Sequence, residues 1–582
     1  MRPVRLVVVL AALALLAPAG ARAAVPAVNV AGAPTHDVLA DALSTGTKQV
    51  RIFAQWKDFE PDAAGQYPPA ATPATATENN LRNLTVAFDA AIRQLNAAGA
   101  EPIFVVVGAP RWANDSTDTL VPPRDPVTYA QFFGEFVAHN AAVGRVAAYE
   151  VWNEQDADGF WHAPVDAARY TALLKAAYAA AKPKARDAVI LAGPFTGNNF
   201  PYLEAMYDAG AQGSFDGVAV HTDSACLGLG PDFFFRDGGR ISRFVFLAYR
   251  EVRASMAAHG DLKPIWMTEL GWSSTGAKAN SCVRGAGAGQ RPDGVTEAQQ
   301  AEFLTQAYGC LANDPDVVSG GWFTMRDTRT NTPDELNHYG LLRADGSPKP
   351  SFAAFKAVVA ADGGPPVTCG DFEPPTVRIV EPVPGQQFVD RIDVRAVAQD
   401  AGVGVTSFTF SYDGGERIRS FGVSDGAADG VPIGLAPWYG SSQLALGPHT
   451  LEVVASDRNG NVARVEVPVV KVDPASVVAS LVPAFRVGAK VACAKRLCRV
   501  RGGVTRAVGG PPLRGRVAVE WQVRNKQGRY VRMVGGTKVA ATSFVFRLKA
   551  KQKGRWRVKV SYLGQTPYKP VAARYLTFRI RR

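Results

Sequence analysis

The 582-residue sequence lacks several features that define common protein classes. It has no cysteine or histidine pair at the spacing of a zinc site, and its motifs imply no metal and no organic cofactor. No Gly-x-Gly-x-x-Gly follows the first predicted strand, which argues against a doubly wound dinucleotide-binding sheet. Beyond the N-terminal apolar run, no segment is long and apolar enough to span a membrane. The function therefore has to be read from the side chains that are present.

The N-terminus has the pattern of a secretion signal. Arg2 and Arg5 form a basic start, Leu6–Ala17 an apolar run, and Ala21-Arg22-Ala23 a small-residue cleavage site. The apolar run is short for a membrane anchor, which is the alternative reading. We therefore expect residues 1–23 to be a signal peptide and the mature protein to be secreted, extracellular or associated with the cell surface.

Cysteine is scarce, but its six copies form an even number, which favours disulfide bonds in an exported chain. The spacing alone leaves many pairings open. The predicted pairs are Cys493–Cys498, which are close in sequence, Cys226–Cys282 and Cys310–Cys369.

Acidic residues are almost absent from the C-terminal part of the chain. Residues 474–582 contain 26 Lys and Arg against one acid, Glu520, whereas the chain as a whole has a net charge of +12. A mildly acidic body thus carries a strongly basic tail. Such a charge suits an anionic polymer of the cell wall or capsule. Nucleic acid is the less favoured partner for an exported protein.

Residues from about 27 to 362 alternate between short β-branched runs and longer Ala-rich amphipathic segments. Eight such runs separated by helices predict a (β/α)₈ TIM barrel. The predicted strands are Ala27–Val30, Gln49–Phe53, Pro102–Val107, Val146–Val151, Ala188–Leu191, Phe215–Val220, Pro264–Thr268 and Val317–Phe323. The clearest predicted helices are Glu78–Ala98, Pro126–Ala142, Val165–Ala181, Ile241–Ala258 and Thr296–Leu311.

The helical pattern ends near residue 362, and short alternating strands with turn signals follow. We expect a multidomain protein in which the barrel precedes two all-β, immunoglobulin-like sandwich domains. The predicted boundaries are 24–368 for the barrel, 369–474 for the first sandwich and 475–582 for the basic sandwich. The turn Asp457-Arg458-Asn459-Gly460-Asn461 is interpreted as a hairpin, because it lacks the remaining ligands of a twelve-residue calcium loop.

Two of the predicted strands end in a carboxylate beside tryptophan. The first reads Tyr149-Glu150-Val151-Trp152-Asn153-Glu154, and the second reads Trp266-Met267-Thr268-Glu269-Leu270-Gly271-Trp272. They are strands 4 and 7, which lie on opposite sides of an eight-stranded ring, and reactive residues of such barrels lie at the carboxyl ends of strands. Two opposed carboxylates in an aromatic hollow suit the cleavage of a glycosidic bond.

These motifs resemble those of the clan A retaining glycoside hydrolases, in particular families 39 and 5. The resemblance covers residues 27–360 and rests on the Asn-Glu of strand 4 and the Thr-Glu of strand 7. The weaker matches are Arg51 and Trp56 at strand 2, His221 after strand 6 and Trp322 on strand 8. The segment 450–461 resembles the last strands of bacterial immunoglobulin-like modules.

The resemblance implies a role for each matching residue. Glu154 would be the acid/base and Glu269 the nucleophile of a two-step retaining mechanism. Asn153 would hydrogen-bond the 2-hydroxyl of the sugar, Arg51 would keep Glu269 ionised, and His221 would orient the nucleophile side. The sequence departs from the family where many members have His-x-Tyr after strand 6, because His221 is followed by Thr-Asp.

Aromatic residues at the predicted rim are candidates for sugar contacts. Trp322 has the strongest case by resemblance, and Trp56 and Trp112 are further candidates. The predicted function is the hydrolysis of a β-linked oligo- or polysaccharide. The alternatives are an α-L-arabinofuranosidase or another clan A specificity, and, in a different class, a non-catalytic carbohydrate-binding or wall-associated protein.

Overall fold

The fold was analysed on a computed structural model. The residues described are 23–222, 228–275, 294–329, 335–415, 418–419, 433–435, 441–473, 483–494, 496–506, 513, 515–565 and 568–580. The chain divides after Gly370 into two compact units. The predicted signal peptide lies outside the described residues except for its last residue.

The first unit contains a closed barrel of eight parallel strands, which confirms the predicted fold class. The order around the barrel is β1-β8-β7-β6-β5-β4-β3-β2. The strands are β1 Val25–Asn29, β2 Gln49–Gln55, β3 Glu101–Val107, β4 Ala148–Val151, β5 Ile190–Phe195, β6 Gly217–Thr222, β7 Ile265–Leu270 and β8 Val317–Trp322.

Helices follow the strands as in a βα barrel. They are α1 His36–Leu43, α2 Trp56–Phe59, α3 Ala76–Ala97, α4 Arg111–Asn114, α5 Pro126–Val143, α6 Ala167–Ala181, α7 Phe200–Asp208, α8 Tyr249–Ala258, α9 Glu297–Ala312 and α10 Pro350–Ala360. Capping boxes start α3 at Thr75 and α9 at Thr296, whereas the predicted starts were Glu78 and Thr296.

One predicted helix begins in the wrong place. Ile241 lies in a two-residue hairpin strand that pairs with Arg236–Asp237, and α8 begins only at Tyr249. The side chain of Glu251 accepts from the Ile241 backbone N–H at 2.8 Å, so this segment is tied to the helix without being helical. The apolar residues of this segment have helical spacing, but backbone pairing with Arg236–Asp237 makes its start a strand.

Close strand packing positions the carboxyl end of β7. Gly321 on β8 lies against the backbone of Thr268, and a Cβ at this glycine would be 2.4 Å from the Thr268 carbonyl oxygen. Asn29 at the end of β1 donates from Nδ2 to the same carbonyl at 2.9 Å. The residue before Glu269 is therefore held on two sides by its neighbours in the barrel.

The second unit begins with a two-sheet module, as predicted. Its strands are β9 Thr376–Glu381, β10 Gln386–Phe388, β11 Arg395–Gln399, β12 Val405–Tyr412, β13 Ile418–Arg419, β14 Ile433–Leu435, β15 Gly447–Asp457 and β16 Val462–Lys471. One sheet has the order β9-β11-β14 and the other β10-β16-β15-β12-β13. A buried core that includes Phe408, Leu451 and Val469 belongs to this module.

The basic C-terminal module is also built from two sheets. Its strands are β17 Ala484–Val487, β18 Ala492–Ala494, β19 Leu497–Thr505, β20 Arg516–Arg524, β21 Tyr530–Val539, β22 Phe544–Lys549, β23 Gly554–Tyr562 and β24 Val571–Ile580. The first sheet has the order β17-β19-β18 with β22 also paired to β19, and the second has the order β21-β20-β23-β24.

Two of the three predicted disulfides are present. Cys310 pairs with Cys369, and Cys493 pairs with Cys498. The predicted partners Cys226 and Cys282 lie outside the described residues. Among the residues that are described, no helix combines the length and apolarity needed to cross a membrane.

Candidate active site

The end of β4 is shaped by two unusual backbone conformations. Trp152 and Glu154 both have positive φ angles, 69° and 43°, which cost non-glycine residues about 1–3 kcal/mol each. The Trp152 indole anchors the turn by donating to the Phe160 carbonyl at 2.7 Å. The turn places Asn153 and Glu154 directly beyond the carboxyl end of the strand.

The second carboxylate is delivered by a regular strand. Glu269 is the next-to-last residue of β7, and its side chain is 17% exposed between the buried Thr268 and Leu270. The pairing of β6 with β7 places His221 next to Glu269. The strand register therefore brings an imidazole beside this carboxylate.

The structure brings the two predicted catalytic residues together around one histidine. An oxygen of Glu154, a ring nitrogen of His221 and an oxygen of Glu269 all lie within 4.8 Å of one another. The Glu154 and Glu269 side chains are 19% and 17% exposed, whereas that of His221 is 1% exposed. The two carboxylates thus reach the barrel mouth, whereas the imidazole that contacts them is buried.

The imidazole contacts both carboxylates through different nitrogens. His221 Nδ1 lies 2.7 Å from Glu154 Oε1, and Nε2 lies 3.4 Å from Glu269 Oε1. Burial lowers the pKa of His221 to about 4, so the ring is neutral near pH 7 and carries one N–H. The tautomer that suits both contacts has its proton on Nε2, facing Glu269, and accepts at Nδ1.

Glu154 has the electrostatics of a proton donor. Burial, followed by the nearby negative charge of Asp156, raises the pKa of Glu154 to about 7. A protonated Glu154 can donate to His221 Nδ1, which agrees with the tautomer that faces Glu269. The Asp156 carboxylate is itself held by the Thr196 backbone N–H and by Asn199 Nδ2. Burial and the adjacent Asp156 carboxylate thus favour the protonated state of Glu154.

Arg51 links the residues at the end of β4 to Glu269 on β7. Its buried guanidinium donates to Glu150 at 2.8 Å, to Asn29 at 3.0 Å, to Asn153 at 2.7 Å and, through a very short contact, to Glu269. This side chain therefore connects β2, on which it lies, to β1, β4 and β7. Since a cation already occupies the side of Glu269, the carboxylate–imidazole cluster is better suited to acid–base chemistry than to holding a metal.

Burial opposes the effect of Arg51 on Glu269. Arg51 contacts Glu269 as predicted, and both His221 and Arg51 favour the ionised form. Burial nevertheless outweighs them and raises the pKa of Glu269 above its usual range. The negative charges of Glu154 and Glu150 add to the effect of burial and raise the pKa of Glu269 further.

Asn153 is oriented with a free donor. Its Oδ1 accepts from Arg51, which fixes the amide, and its buried Nδ2 has no hydrogen-bond partner within the described part of the chain. A buried donor without a partner is costly unless a ligand completes it. Asn153 is thus prepared to donate to a substrate hydroxyl.

The predicted aromatic contacts are placed unequally. Trp56 is fully buried, packs edge-on against Trp112 and Tyr129, and donates from Nε1 to Glu60. It presents no face to the barrel mouth, so its position is that of a packing residue. Trp112 is half-buried and donates to the Glu60 carbonyl at 2.7 Å, which leaves part of its ring at the rim.

Trp322 ends β8 but is also fully buried. Its Nε1 donates to the Tyr339 carbonyl at 3.1 Å, and its ring lies 6.2 Å from that of Trp272. Half-buried phenylalanines occupy the mouth instead. Phe53 on β2 stacks on Phe160 at 6.1 Å and lies 5.1 Å from the Arg51 guanidinium.

The comparisons with known proteins agree with this architecture. A family model described as "Bacterial Ig domain" matches residues 375–429. The comparison with curated proteins gave no match. The solved structures similar to this chain include a family 39 glycoside hydrolase from Bacteroides cellulosilyticus WH2, at 18% identity and a TM-score of 0.45, over 78% of this chain and 82% of that one.

Two further structures show the same relationship. GH5_18 from Streptomyces cattleya, in complex with GlcNAc, has 17% identity and a TM-score of 0.43 over 64% of this chain and 85% of its own. The GH39 enzyme from Xanthomonas axonopodis pv. citri has 15% identity and a TM-score of 0.40 over 92% and 97%. The predicted resemblance to families 39 and 5 and to bacterial immunoglobulin-like modules is confirmed. With identities and TM-scores this low, the function is argued from the site itself.

Proposed function

We propose that the barrel is a retaining glycoside hydrolase. The observation that carries this proposal is the pair of partly exposed carboxylates, Glu154 and Glu269, with oxygens within 4.8 Å of each other. Retaining enzymes separate their carboxyl groups by about 5–5.5 Å, whereas inverting enzymes need about 6.5–9.5 Å to admit a water molecule. The pKa of Glu154, which burial raises to about 7, supports the acid role for that residue.

In the first step, Glu154 gives its proton to the glycosidic oxygen while Glu269 attacks the anomeric carbon. The bond from that carbon to the leaving oxygen breaks, and a covalent glycosyl-enzyme forms on Glu269. Asn153 Nδ2 donates to a ring hydroxyl as charge develops on the sugar. Arg51 and the His221 N–H stabilise Glu269 as a carboxylate before attack and as a leaving group later.

In the second step, Glu154 acts as a base. Its carboxylate takes a proton from water, the hydroxide oxygen attacks the anomeric carbon, and the ester bond to Glu269 breaks. Glu154 is then protonated and Glu269 ionised, as at the start. Two inversions give net retention of configuration.

The proposed substrate is a β-linked oligo- or polysaccharide, reached by an exported enzyme. An α-L-arabinofuranosidase is the second candidate within the same chemistry. We expect hydrolysis in a panel of aryl β-glycosides, aryl α-L-arabinofuranosides and β-linked polysaccharides, with the product anomer followed by proton NMR. A first-formed product of retained configuration is expected. An inverted first product, or no hydrolysis across the panel, would contradict the proposal.

A non-catalytic carbohydrate-binding role is the alternative of another class. Such a role explains the aromatic residues at the barrel mouth but not the buried charges beneath the mouth. Burying Arg51 and Glu150 beneath the partly exposed Glu269 is expensive, and binding a neutral sugar does not require it. The charge network therefore favours catalysis.

We further propose that the basic module binds an anionic polymer of the cell wall or capsule. On β23, Trp556 and Val558 are 1% and 0% exposed, so Arg555, Arg557 and Lys559 share the opposite face. This is the alternation predicted from the sequence.

Neighbouring strands extend this cationic face. The register places Arg579 of β24 beside Arg555. The Arg557 guanidinium lies 4.4 Å from the ring centre of Tyr530 and 5.0 Å from that of Tyr575. Aromatic rings that flank a guanidinium hold the charge in a flat surface, which suits an extended polyanion.

The test is retention of the full chain on a polyuronate resin, with neutral dextran as the control resin. We expect the combined variant Arg532→Glu, Arg555→Glu and Arg579→Glu to lose retention, because these exposed charges belong to the cationic sheet. The wild-type protein should also elute as salt rises from about 50 to 500 mM, since screening shortens the range of the attraction.

A matched variant separates local charge from net charge. Arg82→Glu, Lys175→Glu and Arg186→Glu make the same charge change at exposed barrel positions. Equal loss of retention in both variants would show that net charge alone causes the effect. Retention that does not change with salt concentration would refute the electrostatic basis.

A further inference from the structure

Three carboxylates from separate parts of the chain meet in the immunoglobulin-like module. One oxygen from each of Asp371, Asp400 and Asp457 lies within 4.8 Å of the other two. Asp371 precedes β9, Asp400 lies in the turn between β11 and β12, and Asp457 ends β15. The fold therefore brings together three carboxylates, of which the first and the last, Asp371 and Asp457, are 86 residues apart in the sequence.

No positive side chain of the described residues forms an ion pair with this cluster. Asp400 and Asp457 are 5% and 2% exposed, and none of the three carboxylates forms an ion pair with any residue that the structure describes. Carboxylates gathered this closely repel one another, and a bound cation removes that repulsion.

A buried amide lies beside the first of these aspartates. Asn459 is 1% exposed, and its Nδ2 donates to the Asp371 carbonyl at 3.1 Å, which seats the amide against the first aspartate. Its Oδ1 has no hydrogen-bond partner among the described residues. The amide nitrogen is thus used by the protein, and the buried oxygen is left for a ligand.

The backbone holds the carboxylates in place without neutralising them. Asp400 accepts from the N–H groups of Gly402 and Gly404, and Asp371 accepts from that of Val403. The Asp371 carboxylate is so close to the turn that a Cβ at Gly402 would lie 1.9 Å from its Oδ2. Only glycine permits this approach, which positions Asp371 beside Asp400.

The donor set identifies the kind of cation. All four atoms are oxygens, three of them anionic, and no sulfur or imidazole takes part. Ca²⁺ accepts such oxygens in flexible geometry and completes its six to eight ligands with water, whereas Mg²⁺ demands a stricter octahedron.

We propose that the immunoglobulin-like module binds Ca²⁺ through Asp371, Asp400, Asp457 and the Oδ1 of Asn459. The turn at 457–461 does not form a calcium loop by itself, as the sequence indicated, but it supplies two of four ligands. The site ties the start of the module to two of its turns. This inference is independent of the proposed hydrolase activity.

The test uses the full-length protein after treatment with EGTA. Isothermal titration with CaCl₂ should show saturable binding in the range of about 10⁻⁴–10⁻³ M seen for extracellular modules, with weaker binding of MgCl₂. Asp371→Asn should lose this binding, and Asn459→Ala should weaken it several-fold. Asp390→Asn, an exposed aspartate of the same module, should bind as the wild type does.

A thermal unfolding series gives a second readout. CaCl₂ at 5 mM should raise the melting temperature of the module in the wild type and in Asp390→Asn, but not in Asp371→Asn. No calcium uptake by the wild type up to about 10 mM, above the millimolar range of such modules, would overturn the proposal. So would equal uptake by the wild type, Asp371→Asn and Asn459→Ala. If Asp371→Asn fails to fold, Asn459→Ala decides, because it removes the unpaired oxygen and leaves the three aspartates.

Discussion

Replacing Glu269 with alanine is expected to reduce kcat by at least about 10⁴-fold, the scale on which enzymes lose turnover with their nucleophile. The carboxylate is positioned by Arg51 and faces the His221 ring, and among the described residues no other carboxylate of the site is placed to attack from its side. Glu150 is also bound to Arg51 but is fully buried. Steady-state hydrolysis of an aryl glycoside measures the loss.

Azide distinguishes loss of the nucleophile from loss of the fold. In Glu269→Ala the small anion can occupy the vacated space and attack the anomeric carbon directly, which gives a glycosyl azide of inverted configuration and releases the aryl group. The control is Glu302→Ala, an exposed glutamate of α9 that should keep full activity. Near-normal turnover by Glu269→Ala without azide would remove Glu269 from the mechanism.

The barrel could be predicted because its local signals agree with its global fold. From Pro102 to its end, β3 reads as a continuous apolar run, which is what a sheet covered on both faces requires. The prediction failed at Ile241, where backbone pairing in a short hairpin overrides helical spacing. Such pairing depends on where the barrel places the preceding loop, and the sequence contains no local signal for it.

The site was predictable to the extent that its residues lie at strand ends. Glu154 and Glu269 were predicted from strand order, Arg51 and His221 from the resemblance, and the structure links all four by direct contacts. Glu150 was overlooked although it lies inside the strand 4 motif. A carboxylate in the middle of an apolar strand is itself a signal, because it can be buried there only with a cationic partner.

The aromatic residues show why side-chain exposure is harder to predict. Trp56 lies directly after β2, where a rim position is plausible, yet it packs inside a cluster with Tyr129 and Phe132. Phe53 drew no prediction, but it shares the inward face of β2 with Arg51 and reaches the mouth. Inward and outward positions alternate along a strand, so the register of Arg51 would have identified Phe53.

The departure from His-x-Tyr falls on Asp223, which lies outside the described residues, whereas His221 itself lies between the two carboxylates. Nδ1 of His221 contacts Glu154, the proposed acid/base, and Nε2 faces Glu269, the proposed nucleophile. A single neutral imidazole therefore couples the protonation of Glu154 to the ionisation of Glu269. Protonating His221 would leave it with two donors and favour a charged Glu154, which is the wrong state for an acid.

The coupling leads to a second large effect, which concerns pH and the leaving group together. In Glu154→Ala, kcat/KM should fall about 10²–10⁴-fold for substrates with poor leaving groups. It should change little for a dinitrophenyl glycoside, whose aryl oxygen departs without a proton.

The wild-type profile of kcat/KM on a poor leaving group should be bell-shaped. The alkaline limb should fall near pH 7, because Glu154, whose pKa burial raises to about 7, loses its proton there and can no longer act as an acid. The acidic limb should lie above the ordinary range of a glutamate, because burial raises the pKa of Glu269, and a protonated Glu269 cannot attack.

Glu154→Ala should abolish the alkaline limb and keep the acidic one, since only the acid has been removed. Azide should then yield a glycosyl azide of retained configuration, because it attacks the glycosyl-enzyme after Glu269 has inverted the centre once. That product is the opposite anomer to the one expected from Glu269→Ala. The same anion thus reports which carboxylate is missing. An alkaline limb that persists in Glu154→Ala, or an equal loss on both leaving groups, would assign the acid to another residue.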